Sequence, residues 1–181
     1  MSLGADVRRL VSAYEPRSER EHAEKADFLA FFADDHGPVA REDGPDHATA
    51  SALVFDPSLT RTLLVFHGKG RFWVQPGGHL EPGDASIADA ALREMQEETG
   101  VAGSVPASFA YDLDHHALSA AFGRCSSHLD IGVAVVVEPG SPLLVSAESE
   151  DVRWWPIDAL PAEVPDGFAG RVERLRGRLW G

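Results

Sequence analysis

The residues best able to do chemistry in this chain stand together in one stretch, Arg93-Glu94-Met95-Gln96-Glu97-Glu98. At about 100° per residue on a helix, Glu94, Glu97 and Glu98 fall within one arc of about 100°. As a device for stability this is a poor arrangement. Glu94 and Glu98 form a like-charged i,i+4 pair that costs roughly 0.2–0.5 kcal/mol. Glu97 and Glu98 also occupy the last turn, where the helix dipole disfavours anions by about 0.3–1 kcal/mol each. Arg93 relieves part of this by reaching Glu97. A divalent cation among the carboxylates removes the rest, and oxygen-only ligands favour magnesium or manganese over zinc. The alternative is an ordinary solvated acidic face, which is what most charge runs on helices are. Two features weigh against it. The acidic arc borders an apolar stripe, and a glycine-rich loop, Pro76-Gly77-Gly78 through Pro82-Gly83, comes just before the helix. Such a loop lets backbone carbonyls and amides approach a metal or a phosphate.

The helix itself is well marked. Ser86 is a suitable N-cap with Asp89 three residues on, and Gly100 is placed to end it. Ala88, Ala91, Leu92, Met95 and Thr99 form the stripe that faces the core. Before the glycine loop, Ala52 to Phe55, Thr62 to His67 and Phe72 to Val74 read as short strands. After the helix, strands are expected around Ala107 to Leu113, His128 to Val137 and Asp151 to Trp154, and a last helix from Phe168 to Leu179. Strands on both sides of a central helix imply an α/β domain with a mixed sheet. The first 45 residues differ and read as an N-terminal helical extension. Leu10, Val11 and Tyr14 share a helical face that Pro16 ends. Ser18 caps a second helix, Glu19 to Asp34, carrying Phe28, Leu29, Phe31 and Phe32. Those aromatics cover the same chain, a second copy of it in a homodimer, or a ligand. His36 to Asp46 reads as a loop, so the division is 1–45 and 46–181.

Gly78, Arg93, Glu94, Met95, Glu97, Glu98, Gly100 and Val101 together resemble the Nudix box, in which a glycine, a glutamate and the run R-E-U-x-E-E-x-G-U recur at fixed spacing, with U apolar. Six of those matches demand one residue type at about 5–7% background each, so a chance match is rarer than about one in a million per start position. Two departures stand out. Asp84 replaces the first glutamate, and eight residues rather than seven separate it from Arg93. Since Ser86 keeps its capping distance to the arginine, the extra residue belongs in the loop at Asp84-Ala85. In the family that first glutamate supports the loop and pairs with the arginine, so the departure bears on the contact between Asp84 and Arg93. Nudix proteins often carry a further acidic ligand six residues before a tryptophan; Glu148 stands six residues before Trp154, with Glu150 and Asp151 as competitors.

The resemblance implies a Nudix-type α/β/α sandwich and a pyrophosphohydrolase that cleaves a nucleoside diphosphate linked to another moiety, X. It implies Mg2+ or Mn2+ held by Glu94, Glu97, Glu98, the Gly78 carbonyl and Glu148. Glu94 is favoured as the base or base-orienting residue, and Arg93 as the group that holds Glu97 in place. Phosphate contacts are expected from Lys69, Arg71 and His79. His128 and Asp130 alternate on one face of a strand, where they line the pocket for X or form a local hydrogen bond. His115, His116 and His128 invite a zinc reading that no cysteine pair supports. Trp73, Trp154 and Trp155 are expected in the core.

The whole-chain numbers fit this picture. The 181 residues are 44% hydrophobic, enough for one domain with a core. Sixteen basic against twenty-nine acidic residues give a net charge of −13, which repels nucleic acid polymers and anionic membranes. No apolar run approaches the ~20 residues of a membrane span, and no signal peptide is evident. The single cysteine, Cys125, excludes an internal disulfide, so a cytoplasmic protein is expected. Two other functions compete: a Nudix-like nucleotide sensor without catalysis, which would lose box glutamates, and an isoprenoid diphosphate isomerase, which would need an activated thiol at Cys125.

Overall fold

The computed structural model describes residues 1–33, 37–119, 123–140, 142–147 and 149–180. Its elements run α1 (Leu3–Ala13), α2 (Glu19–Phe31), β1 (Asp46–Phe55), β2 (Arg61–His67), β3 (Phe72–Val74), β4 (Gly77–His79), α3 (Ile87–Thr99), β5 (Tyr111–Ala117), β6 (Ser127–Val136), β7 (Ser149–Pro156) and α4 (Phe168–Leu179). Short 3-10 turns lie at Arg41–Asp43 and Ile157–Ala159.

Strand β1 is buried on both faces, and its alternation lays out the domain. Ala48, Ala50, Ala52 and Val54 point into a core shared with Ile87, Ala91 and Met95 of α3. On the opposite face Leu53 and Phe55 join a second core beneath Phe168, Val172 and Leu175 of α4. The same face carries His47, Thr49 and Ser51, all buried and polar. Strand β6 runs parallel to β1 in register, with His47 opposite His128 and Thr49 opposite Asp130. It repeats the pattern: Leu129, Ile131, Val133 and Val135 lie in the α3 core, and Ala134 in the α4 core. One end of the α4-side face is therefore apolar and covered, and the other is polar.

The path across the sheet is β3-β2-β1-β6-β5. One edge of β1 is divided between two antiparallel neighbours, β2 at Val54–Phe55 and β4 at Thr49–Ser51. Strand β7 adds to β2 in antiparallel fashion. This is an open mixed sheet with helices on both faces. Among the described residues, no helix is long and apolar enough to cross a membrane.

Helices α1 and α2 continue the α3-side core. Val7, Leu10, Val11, Tyr14, Phe28 and Phe32 belong to it, and the Tyr111 hydroxyl donates to the Leu10 carbonyl at 2.8 Å. The Phe31 ring meets the His115 ring edge-on at 5.3 Å, and Leu29 is exposed. Ser18 caps α2, accepting from the Glu21 N–H at 3.3 Å.

Three features differ from the sequence expectations. Strand β1 begins at Asp46 rather than near Ala52, because its first half alternates the polar His47, Thr49 and Ser51 with alanines alone and lacks the larger apolar residues of the run that ends at Phe55. Gly77–His79, expected as loop, pairs with β1 through Thr49↔His79 and Ser51↔Gly77. Strand β5 starts later than expected and runs on through His115 and His116, whose backbones pair with Leu129 and His128.

Candidate active site

The helix that carries the glutamates is fixed at both ends. The Ser86 hydroxyl accepts from the Asp89 N–H at 3.1 Å, and Gly100 closes the helix at φ 73°, a conformation glycine adopts without strain. A third fixture comes from α1. Asp6 of α1, buried, accepts from the Ile87 N–H at 2.9 Å, placing a carboxylate on the positive end of α3.

Arg93 is the hub of the acidic face. It forks onto Asp84, with Nε to Oδ1 at 2.9 Å and Nη2 to Oδ2 at 3.0 Å. It also donates to Glu94 at 2.9 Å, to Glu97 at 3.1 Å and to the His79 carbonyl at 3.0 Å. The shorter aspartate side chain therefore still reaches the arginine; the loop bends back to deliver it, with the Glu81 N–H donating to Asp84 at 2.8 Å. Burial works to raise the Asp84 pKa, but the hydrogen bonds from Arg93 and Glu81 outweigh it and hold the carboxyl below its usual range.

Glu94 lies against the glycine loop. A Cβ on Gly78 would come within 2.6 Å of Glu94 Oε1, so any larger residue there would displace the Glu94 carboxylate from the loop. Burial pushes the Glu94 carboxyl above its ordinary pKa, against the lowering effect of Arg93. Glu98, buried, accepts from the Gly77 N–H at 3.0 Å. Glu97 is the most open of the three, with 58% of its side chain exposed. Three carboxylates beside a loop backbone make an all-oxygen donor set, which suits a hard divalent cation such as Mg2+.

Gly77 and Gly78 also form part of the wall of a cleft of about 440 Å³. The other walls come from Phe72 and Val74, from β5 at Asp114–Ala117, from His128 and Asp130, and from the start of α4 at Gly167–Arg171. The floor is a buried charge cluster. Arg171, only 4% exposed, forks onto Asp112 at 2.9 Å and donates to Asp130 at 2.7 Å, with Asp114 at 3.7 Å. Asp130 further accepts from Thr49 at 2.9 Å and Ser51 at 2.6 Å. Burial works to raise all three carboxyls. It prevails at Asp112, whereas the Arg171 charge holds Asp114 and Asp130 below the usual range.

The sequence profile of the NUDIX domain family matches residues 45–174. The chain belongs to the Nudix hydrolase family. It is 37% identical to mouse nucleoside diphosphate-linked moiety X motif 6 over 92 residues, 47% of this chain and 28% of that protein. The chain spans between 14% and 38% of the lengths of the first curated relatives it matches. Among solved structures, a C. elegans Ap4A hydrolase binary complex superposes with a TM-score of 0.59 at 15% identity, covering 74% of this chain and 98% of that one. The NUDIX domain of Shewanella oneidensis NrtR complexed with ADP ribose gives 0.54 at 22% identity, covering 73% and 87%. At these identities the structural likeness speaks for the Nudix fold.

Within this Nudix fold, the residues singled out from the sequence are placed unevenly. Arg93, Glu94 and Glu97 come together through hydrogen bonds, Glu94 lies against Gly78, and Glu98 is tied to Gly77; of these expected residues only Gly78 lines the cleft. His128 and Asp130 both line it, with no hydrogen bond between them among the described contacts. The expected phosphate contacts are elsewhere. Arg71 pairs with Glu150 and lies over the Phe66 ring at 5.0 Å, beside a separate, shallow depression. Lys69 is exposed in the same hairpin and lines neither. His79 turns toward other imidazoles, its ring 5.0 Å from His47 and 5.3 Å from His128. Glu148 lies outside the described residues; of its competitors, Glu150 is taken by Arg71, and Asp151 by Arg153 and the Val152 N–H. Trp73 is buried and packs edge-on against Trp155 at 5.2 Å.

Sequence reasoning missed Asp6, Arg171 and Asp112. Each is an ordinary charged residue in its own neighbourhood and gains its role from a partner 41 or more positions away. The one available signal for Arg171 was the apolar face of α4, which places an arginine among Phe168, Val172 and Leu175.

Proposed function

We propose that the protein is a Mg2+- or Mn2+-dependent pyrophosphohydrolase acting on a nucleoside diphosphate linked to a moiety X. One observation carries the reading: Gly77-Gly78 belongs both to the carboxylate face of α3 and to the wall of a cleft large enough for a small-molecule ligand. The phosphates would lie at that junction and X in the cleft below. Glu94, Glu97, Glu98 and the Gly78 carbonyl would hold the ion, with Glu148 as a further ligand, and the ion supplies neutralisation of phosphate charge and a lower pKa for water.

The remaining roles fall to the chain. Arg93 orients Glu94 and Glu97 and ties them to Asp84 and to the loop carbonyl of His79. Glu94, partly withdrawn from water, accepts the proton of the attacking water or orients the group that does. Glu98 fixes the Gly77 amide and with it the loop. The cleft offers hydrogen-bonding groups from His115, His116 and Asp114 on one side and apolar surface from Phe72 and Val74 on the other. That combination fits a planar, polar substituent such as a nucleobase or a sugar-linked nucleotide. The aromatics of α2 are largely spent within the chain, so this reading needs no second subunit, and the free thiol of Cys125 accords with a cytoplasmic enzyme.

The test is phosphate release from a panel of nucleoside diphosphate derivatives, coupled to phosphatase or pyrophosphatase, with and without magnesium. Magnesium-dependent release that Glu98→Gln abolishes is the expected result. Ligand binding without release, by the wild-type protein with magnesium present, would overturn the hydrolase reading in favour of a nucleotide sensor.

A further inference from the structure

We propose that His47, His79, Cys125 and His128 form a tetrahedral zinc site, distinct from the carboxylate face of α3. The four come from separate places in the sequence and meet at one end of the sheet. His47 opens β1, His128 lies directly opposite it on β6, His79 ends β4, and Cys125 just precedes β6. One ligand atom from each side chain lies within 4.8 Å of the others. The three imidazole rings stand in a triangle with centroids 5.0, 5.1 and 5.3 Å apart. The Cys125 sulfur is 3.9 Å from His79 Nε2. In a tetrahedron with Zn–N of about 2.0–2.1 Å and Zn–S of about 2.3 Å, ligand atoms are separated by roughly 3.3–3.6 Å. The cluster needs about 1 Å of contraction to bind.

The orphaned nitrogens point the same way. His47 is fully buried, and its Nδ1 is 2.9 Å from the Gly44 carbonyl, which can only accept. That bond places the proton on Nδ1 and leaves a lone pair on Nε2, which is buried and has no hydrogen-bond partner. Donation of the other ring N–H to a backbone carbonyl is how metal-bound histidines are commonly oriented. His128 Nε2 is likewise buried without a partner. Buried polar atoms are rarely left unsatisfied, and two on one cluster call for an occupant. Protonating these rings would set like charges beside one another, whereas a cation takes up the lone pairs directly. Nitrogen and thiolate donors select zinc over magnesium. The site would thus not compete for the ion of the glutamates.

Zinc here would bind four segments of chain into one unit. His79 is the link, because its side chain enters the cluster while its carbonyl accepts from Arg93 at 3.0 Å. Binding would fix strand β4, and so Gly77 and Gly78, against β1 and β6. The histidine placed by sequence among the phosphate contacts becomes a strut for the loop.

The full chain, expressed with zinc and passed over a desalting column, should carry about one equivalent of zinc by elemental analysis. Replacement with Co2+ should give the intense visible absorption of a tetrahedral site together with a thiolate-to-cobalt charge-transfer band. Cys125→Ser should lose the charge-transfer band, and Glu98→Gln should keep both. Chelation should raise the reaction rate of the Cys125 thiol with a disulfide reagent at least tenfold, a measurement made on the wild-type protein and so independent of how any variant folds. Protein without zinc, weak octahedral cobalt spectra unaffected by Cys125→Ser, or a thiol indifferent to chelator would each overturn the proposal. None of these readouts requires turnover, so the zinc site and the hydrolase reading stand or fall separately.

Discussion

Two arginines organise this molecule, and they do it in opposite ways. Arg93 collects partners from its own neighbourhood, 1, 4, 9 and 14 positions away, on a face where 21% of its side chain remains exposed. Arg171 collects Asp112 and Asp130 from 59 and 41 positions away and sits 4% exposed beneath the cleft. The first ties Asp84, Glu94 and Glu97 into one half-open network, beside the carboxylates that the proposed function assigns to the ion. The second is a structural clamp, joining β5, β6 and α4 where the polar end of the sheet could not otherwise be buried. Gly132 shows how tightly the clamp is built, since a Cβ there would come within 2.4 Å of both Arg171 and Asp112.

If that contrast is right, breaking the clamp should cost the most stability. Arg171→Leu strands three buried carboxylates, and chemical denaturation should show a loss of about 3–5 kcal/mol. Arg93→Leu should lose less, roughly 1–3 kcal/mol, because its partners can turn to water. Equal losses would remove the distinction.

The positioning hub should be more visible in rate than in stability. Asp84→Asn leaves Arg93 without its charged anchor, and kcat should fall about 10–100-fold while the melting temperature moves by only a few degrees. The same pair carries a pH signature. Because the folded pKa of Asp84 lies below its usual 3.8, its contribution to stability is present above that value and is lost as the pH falls below it. The wild-type protein should therefore lose more stability than Asp84→Asn between pH 5 and 3. A parallel acid response in the two proteins would show that Asp84 is not held by Arg93.

The smallest effect should come from Arg71→Ala. An exposed pair with Glu150 is worth about 0–1 kcal/mol, and the residue stands away from the cleft, so KM should change less than twofold. A large rise in KM would restore Arg71 as a phosphate contact.

These two regions also mark what was legible in the sequence. The box was readable because its chemistry is periodic: the glutamates share one turn-and-a-half of helix, and caps at Ser86 and Gly100 fix where that helix lies. The Ser86 cap expected from the sequence is where the helix starts, and Asp84 just before it reaches Arg93. The other cleft walls were legible only in part, through the alternation of His128 and Asp130 on one face of β6. Asp112 and Arg171 carry no local pattern, and their association with Asp130 depends on which strands pair. His47 stands just past the stretch His36 to Asp46 that reads as loop, and the polar alternation of His47, Thr49 and Ser51 looks nothing like a core strand until β6 lies beside it. The same parallel pairing that opposes His47 to His128 created the imidazole cluster, which no spacing in the sequence announces.

If the carboxylates of α3 bind the ion that hydrolysis requires, Mn2+ binding and turnover must fail together. The decisive experiment titrates Mn2+ and follows its free-ion EPR signal, with turnover of the best panel substrate measured on the same samples, for the wild-type protein and Glu98→Gln. The wild type should sequester Mn2+ and turn over, whereas the folded variant should lose both. A variant that holds Mn2+ as tightly and hydrolyses as fast would show that these carboxylates do not hold the ion.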